Sequence, residues 1–136
     1  MNAKDFLMRG RYLEKHIEIQ KEHLEHYKNL VNNCTATYSD MPRSTTTNYK
    51  LEDCTQKIIE LQRQICDDMA DLVRVKCEIS EAIRKVDNYE YQDILIKRYV
   101  FNEPWEKISE DFGFTRQHIH RIHGEALKKF SACYMM

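Results

Sequence analysis

Glycine and proline are scarce, at three and two among 136 residues. A sandwich or barrel of short strands needs a turn signal every few residues, so that class is excluded. No run approaches the ~18–20 apolar residues of a membrane span. The start, Met1-Asn2-Ala3-Lys4-Asp5-Phe6, lacks the apolar stretch and small-residue cleavage site of a secretion signal. The five cysteines, Cys34, Cys54, Cys66, Cys77 and Cys133, are odd in number and form no C-x-x-C pair. They read as reduced thiols of a cytosolic chain, not as a disulfide framework or a zinc site. There is no glycine-rich phosphate loop, nucleophile elbow or paired acidic motif, so the chain is not expected to be an enzyme or to carry a cofactor.

What is present is helical periodicity. Residues 3–34 repeat every seven positions, with one series at Ala3, Gly10, Ile17, Leu24 and Val31. The companion series is Phe6, Leu13, Gln20, Tyr27 and Cys34. Residues 51–89 do the same through Leu51, Ile58, Ile65, Leu72, Ile79 and Val86. Their companions are Cys54, Leu61, Asp68, Val75, Ala82 and Tyr89, with Met69 expected to cover for the polar Asp68. Such stripes are helix–helix seams. Residues 35–50 between them hold seven Ser or Thr, together with Pro42, and read as a loop open to cleavage near Arg43. The two stripes are expected to fold back as an antiparallel hairpin, whether within one chain or swapped between subunits. Two helices build little core, so a homo-oligomer is expected as well.

From about Asn88 the heptads stop. Tyr91, Ile94, Leu95, Tyr99 and Phe101 mark one short helix, which Asn102-Glu103-Pro104 breaks. Pro104 suits the first position of the next helix, where Trp105, Ile108 and Phe112 share a face. Gly113 permits a tight turn, and Thr115 is a natural cap for a last helix from Arg116 to about Phe130. That helix buries Ile119, Ile122, Ala126 and Phe130, and His123 beside them is expected to be packed and hydrogen-bonded. The expected fold is therefore all-α. A long antiparallel helical hairpin (coiled coil) over 1–87, with its loop at 35–50, precedes a helix-turn-helix module over 88–136.

The face opposite Ile119 carries Gln117, Arg121, Gly124 and Lys128. Gln and Arg can read base edges by paired hydrogen bonds, and a glycine lets a helix backbone approach closely. Arg116 and His120 flank the stripe, while Lys128 and Lys129 can neutralise phosphates. Thr115 leaves early backbone N–H groups to meet a phosphate. Residues 114–130 hold four basic side chains against Glu125 alone, whereas residues 1–92 hold 14 basic and 16 acidic. An anionic partner, double-stranded DNA, suits that split. The other reading of this helix is an ordinary amphipathic one whose lysines suit its C-terminal dipole. The pairs His23/His26 and His120/His123 have helical metal spacing but no third ligand, so no metal is expected.

The run Gln92-Asp93-Ile94-Leu95-Ile96-Lys97-Arg98-Tyr99, then Trp105-Glu106-Lys107-Ile108-Ser109, then Gly113 to Phe130 resembles the fourth region of bacterial sigma factors. The shared pattern is Arg-Tyr ending one helix, then Thr-Arg-x-x-Ile-x-x-Ile and Ala-Leu-Lys. In sigma factors this module reads the upstream promoter element in the major groove and touches the polymerase. With the heptad hairpin and its Met-Pro-Arg-Ser stretch, the chain is similar over nearly its full length to the RinA/ArpU-type late-transcription regulators of phages and prophages. The resemblance implies a regulator of late or packaging genes in the cytoplasm of a bacterial host, touching DNA and host RNA polymerase. It implies DNA contacts at Arg116, Gln117, His120 and Arg121. Only Arg116 matches the sigma pattern, which favours Glu, Arg and Gln at the other three, so the sigma promoter sequence does not carry over. The regions with which sigma factors bind the downstream element and melt DNA have no counterpart. Two alternatives are a DNA-packaging recognition subunit and a coiled-coil adaptor that binds polymerase without reading DNA.

Overall fold

The structure is a computed structural model that describes the backbone of residues 2–38 and 45–134 and the side chains of 2–33 and 51–134. The described residues are all-α, with no strand among them. Five α-helices follow one another: α1 (Ala3–Tyr38), α2 (Thr45–Ile83), α3 (Tyr89–Leu95), α4 (Trp105–Phe112) and α5 (Arg116–Tyr134). A π-helical turn, Ile96–Val100, continues α3. Among the described residues no helix is long and apolar enough to cross a membrane.

The chain forms two compact units. One joins Met1–Glu14 to Leu72–Met136, and the other is Lys15–Asp71. The division at 87/88 follows the change of sequence pattern, whereas contacts gather the ends of the hairpin helices with the short C-terminal ones.

In the Lys15–Asp71 unit the seam is legible as a row of covered side chains. Ile17, Ile58, Leu61 and Ile65 are buried, and Leu24, Val31 and Leu51 are half-buried. His16 Nε2 lies 3.7 Å from Asp68 Oδ2, which gives the seam's one acidic position a polar neighbour across the pair. Met69 does not cover for Asp68: it is 43% exposed, because it lies one residue, ~100°, further round the helix. Cys54 is exposed too, although it falls in the heptad series. The expected loop does not span the whole of 35–50. Residues 35–38 complete α1 and 45–50 begin α2, since that stretch's hydroxyl residues are tolerated within a helix and its only proline is Pro42. Pro42, Arg43 and the rest of 39–44 lie outside the described residues.

The other unit is built on a tighter core. Ala3, Leu7, Ile79, Ile83, Val86, Leu95, Tyr99, Ala126 and Phe130 form one buried cluster. Within it α1 and α2 run antiparallel in one chain: Arg9 pairs with Glu78 at 2.8 Å and Glu14 with Lys76 at 3.0 Å. Gly10 is a point of close approach. A Cβ there would meet Ile79 Cδ1 at 3.3 Å and the Tyr99 carbonyl oxygen at 3.5 Å. The heptad series overshoots at its end, because α2 stops at Ile83 and the chain turns. Val86 stays buried in that turn, while Tyr89 is 84% exposed and starts α3 instead of closing the seam. Asn88 caps α3 by accepting from Tyr91 N–H at 3.1 Å.

Candidate nucleic-acid interface

The C-terminal helices are held by a second cluster, Ile94, Ile108, Ile119 and Ile122, flanked by Tyr91, Trp105, Phe112 and Phe114. The π-helical turn closes with Phe101 N–H donating to Ile96 O at 3.0 Å. Asn102 follows in the left-handed region at φ 57, a conformation Asn tolerates better than most residues. Pro104 is the cap of α4 and not its first helical residue. Its carbonyl accepts from Lys107 and Ile108, and extended ψ is open to it as a cap. Arg98 lies 4.4 Å over the Trp105 ring, and Lys97 bonds Asp111 at 2.8 Å. That hydrogen bond from Lys97 holds the Asp111 carboxyl below its usual range.

The turn between α4 and α5 is fixed by backbone geometry. Gly113 sits at φ 68, its N–H donates to Glu110 O at 3.2 Å, and Phe114 N–H donates to Ser109 O at 3.0 Å. This is a Schellman ending, which satisfies two terminal carbonyls and needs a residue free to adopt positive φ. Thr115 then caps α5: its Oγ1 accepts from His118 N–H at 3.2 Å. The hydroxyl is thus engaged with its own helix, as expected of a cap.

Along α5 the two faces separate as the periodicity requires. Ile119, Ile122, Ala126 and Phe130 are buried. Thr115, Arg116, Gln117, His120, Arg121, Lys128 and Lys129 are all exposed. Arg116 lies 3.7 Å from Glu106 in an exposed pair, a contact worth little in water. His120 packs its ring 5.0 Å from that of Trp105. Gly124 has nothing within 4 Å of where a Cβ would stand, so this stretch of backbone is approachable. The helix runs on past Phe130 to Tyr134, because 131–134 contains no breaker and Tyr134 and Phe130 both pack on Phe6, at 4.9 and 6.2 Å.

His123 is packed and bonded as its position predicts. Its Nε2 and the Tyr99 hydroxyl are 2.8 Å apart, and its ring stacks against Tyr99 and meets Trp105 edge-on. Burial, aided by the charges of Lys4 and Arg98, pushes its pKa down to about 4. Burial also raises the Tyr99 phenol above its usual value. Among the described residues no three His, Cys, Asp or Glu side chains gather so as to hold a metal ion.

One residue of this surface escapes a reading by helical face alone. His118 Nδ1 accepts from Arg121 at 3.1 Å, and its ring meets the Phe114 ring edge-on at 4.5 Å. The i, i+3 spacing of His118 and Arg121 and the i, i+4 spacing of Phe114 and His118 were the available signals. Tyr91 and Glu125 likewise meet only in the fold, the hydroxyl donating to the carboxylate at 3.0 Å. That bond raises the Tyr91 pKa.

Set against protein-family models, curated proteins and solved structures, the chain matches none.

Proposed function

We propose that the chain is a sequence-specific DNA-binding transcription regulator that lays α5 in the major groove. The observation that carries this reading is the surface of α5. Gln117 and Arg121 stand exposed one turn apart, with an open Gly124 behind them and Lys128 and Lys129 further along. A groove admits one helix, and only outward side chains reach base edges. The capped start after the Gly113 turn fits a recognition helix preceded by a shorter one. The resemblance to phage late-gene regulators extends the reading to late or packaging genes and to contact with host RNA polymerase. Self-association belongs to it too. It is supported by exposed apolar side chains in the hairpin, Ile19, Leu30, Ile59 and Met69, and is tested by sedimentation at micromolar concentration.

The experiment is binding to a selected duplex and to a scrambled one across several salt concentrations. Arg121→Ala should cost about 1–3 kcal/mol on the selected duplex and relax base choice there. Lys128→Ala should weaken both duplexes alike and make the salt slope shallower by about one. If Arg121→Ala keeps both fold and site preference, the recognition helix is misassigned. Capture of polymerase without DNA then becomes the reading to pursue.

A further inference from the structure

We infer that His118 is a positioning residue that holds the Arg121 guanidinium for a guanine edge without neutralising it. This rests on the DNA-reading assignment of α5 and adds to it both a base and a second residue. Arginine has no acceptor, so in the 3.1 Å contact the His118 Nδ1 accepts, and its proton must sit on Nε2. One of the five guanidinium N–H groups is used, which leaves four. Guanine O6 and N7 need two.

The brace continues inward. The His118 ring stands edge-on to Phe114, whose ring stacks on Phe112 at 5.8 Å. Both phenylalanines pack on the buried cluster of Ile94, Ile108, Ile119 and Ile122. A line of contacts thus runs from the core to an exposed, otherwise flexible side chain. The carboxylate best placed to compete, Glu125 at i+4 from Arg121, accepts instead from the Tyr91 hydroxyl. The difference matters, because a carboxylate partner would cancel the charge that a base edge and its phosphates attract. A neutral imidazole fixes direction and leaves the charge intact. Orientation matters for a fork that must meet two acceptors at once.

The test uses the full chain and a pool of short duplexes randomised across the site that the wild type selects. Arg121→Ala should reduce preference for guanine at one position by about 10-fold or more. His118→Phe keeps a ring against Phe114 but removes the acceptor, and should reduce the same preference by about 3-fold or more. His118→Gln, whose amide is too long to put oxygen where Nδ1 stands, should do likewise and serves if the Phe variant melts early. His118→Asn, which can place its oxygen there, should restore the preference to within about 2-fold. Binding to a scrambled duplex at low salt should stay constant across the His118 series, a result that damage to the fold would not give. If Arg121→Ala loses guanine preference and neither His118→Phe nor His118→Gln does, the brace is refuted while the DNA reading stands. If the wild type selects no duplex at all, the DNA reading fails, and the brace with it.

Discussion

The two units cover their apolar side chains to different depths. Among the described residues every large side chain that is fully enclosed, from Leu7 and Ile79 to Tyr99, Ile119 and Phe130, belongs to the unit of Met1–Glu14 and Leu72–Met136. In Lys15–Asp71 the best-covered residues keep a little exposure, Ile17 at 3% and Ile65 at 6%, while Ile19, Leu30, Ile59 and Met69 stand open. A seam between two helices is roofed on one side only. Where α3 and α5 add Leu95, Ala126 and Phe130 to the cluster of Leu7 and Ile79, water is shut out. Heptad spacing therefore specifies pairing, and additional elements are needed for a closed core.

The sharpest way to break this comparison is to truncate the same residue type in each unit. Ile119→Ala should cost about 4 kcal/mol, toward the upper end for buried isoleucine, because Ile94, Ile108 and Ile122 enclose it. Ile65→Ala should cost nearer ~2 kcal/mol, since the site is open enough to relax. Urea melts of both variants at two protein concentrations decide the matter. Equal losses at low protein concentration would break the comparison, whereas a loss for Ile65→Ala that grows with concentration is what the proposed self-association of the hairpin adds.

A smaller effect comes from His123. Its pKa of about 4 in the fold lies below the ordinary ~6.5 of an unfolded chain, so the unfolded state takes up a proton first as pH falls. The stability is present above about pH 6.5 and declines toward pH 4. The change is about 1–2 kcal/mol once the ring's partial exposure is discounted. His123→Gln, which can keep a partner for Tyr99 but does not titrate, should show a flatter fall in Tm between pH 7 and pH 4.5. A matching fall in the variant would move the cause to the carboxylates.

Thr115→Ala removes the α5 cap and should lower stability by about 1 kcal/mol without changing which duplex is preferred, as read from a melt and a competition assay. The smallest change is the most discriminating between fold and surface. Gly124→Ala meets no neighbour and replaces a helix-interior glycine, so it should raise stability by roughly 0.5–1 kcal/mol. On the DNA reading it should at the same time weaken duplex binding, because a Cβ then stands where the groove approaches. A more stable variant with undiminished binding would take Gly124 out of the interface.

Much of this was legible from residue order. The period of seven marks both long helices, and the period near 3.6 separates Ile119, Ile122, Ala126 and Phe130 from Gln117, Arg121 and Lys128 on α5. Gly113 and Thr115 mark the turn and the cap, because only particular residues tolerate positive φ or accept from a helix's first N–H groups. These are local properties of a chain, set by backbone sterics and by which face of a helix a side chain occupies. The tertiary structure alone decided the rest. Tyr89 leaves the seam because α2 ends at Ile83, α5 lengthens to Tyr134 because Phe6 meets it, and Gly10 is a close approach because the Tyr99 carbonyl lies against it. Tyr91 takes Glu125 because α3 and α5 pack together, although the two residues lie far apart in sequence. Contacts between residues distant in sequence depend on where whole helices pack, and helical periodicity, which repeats identically along each helix, carries no record of that.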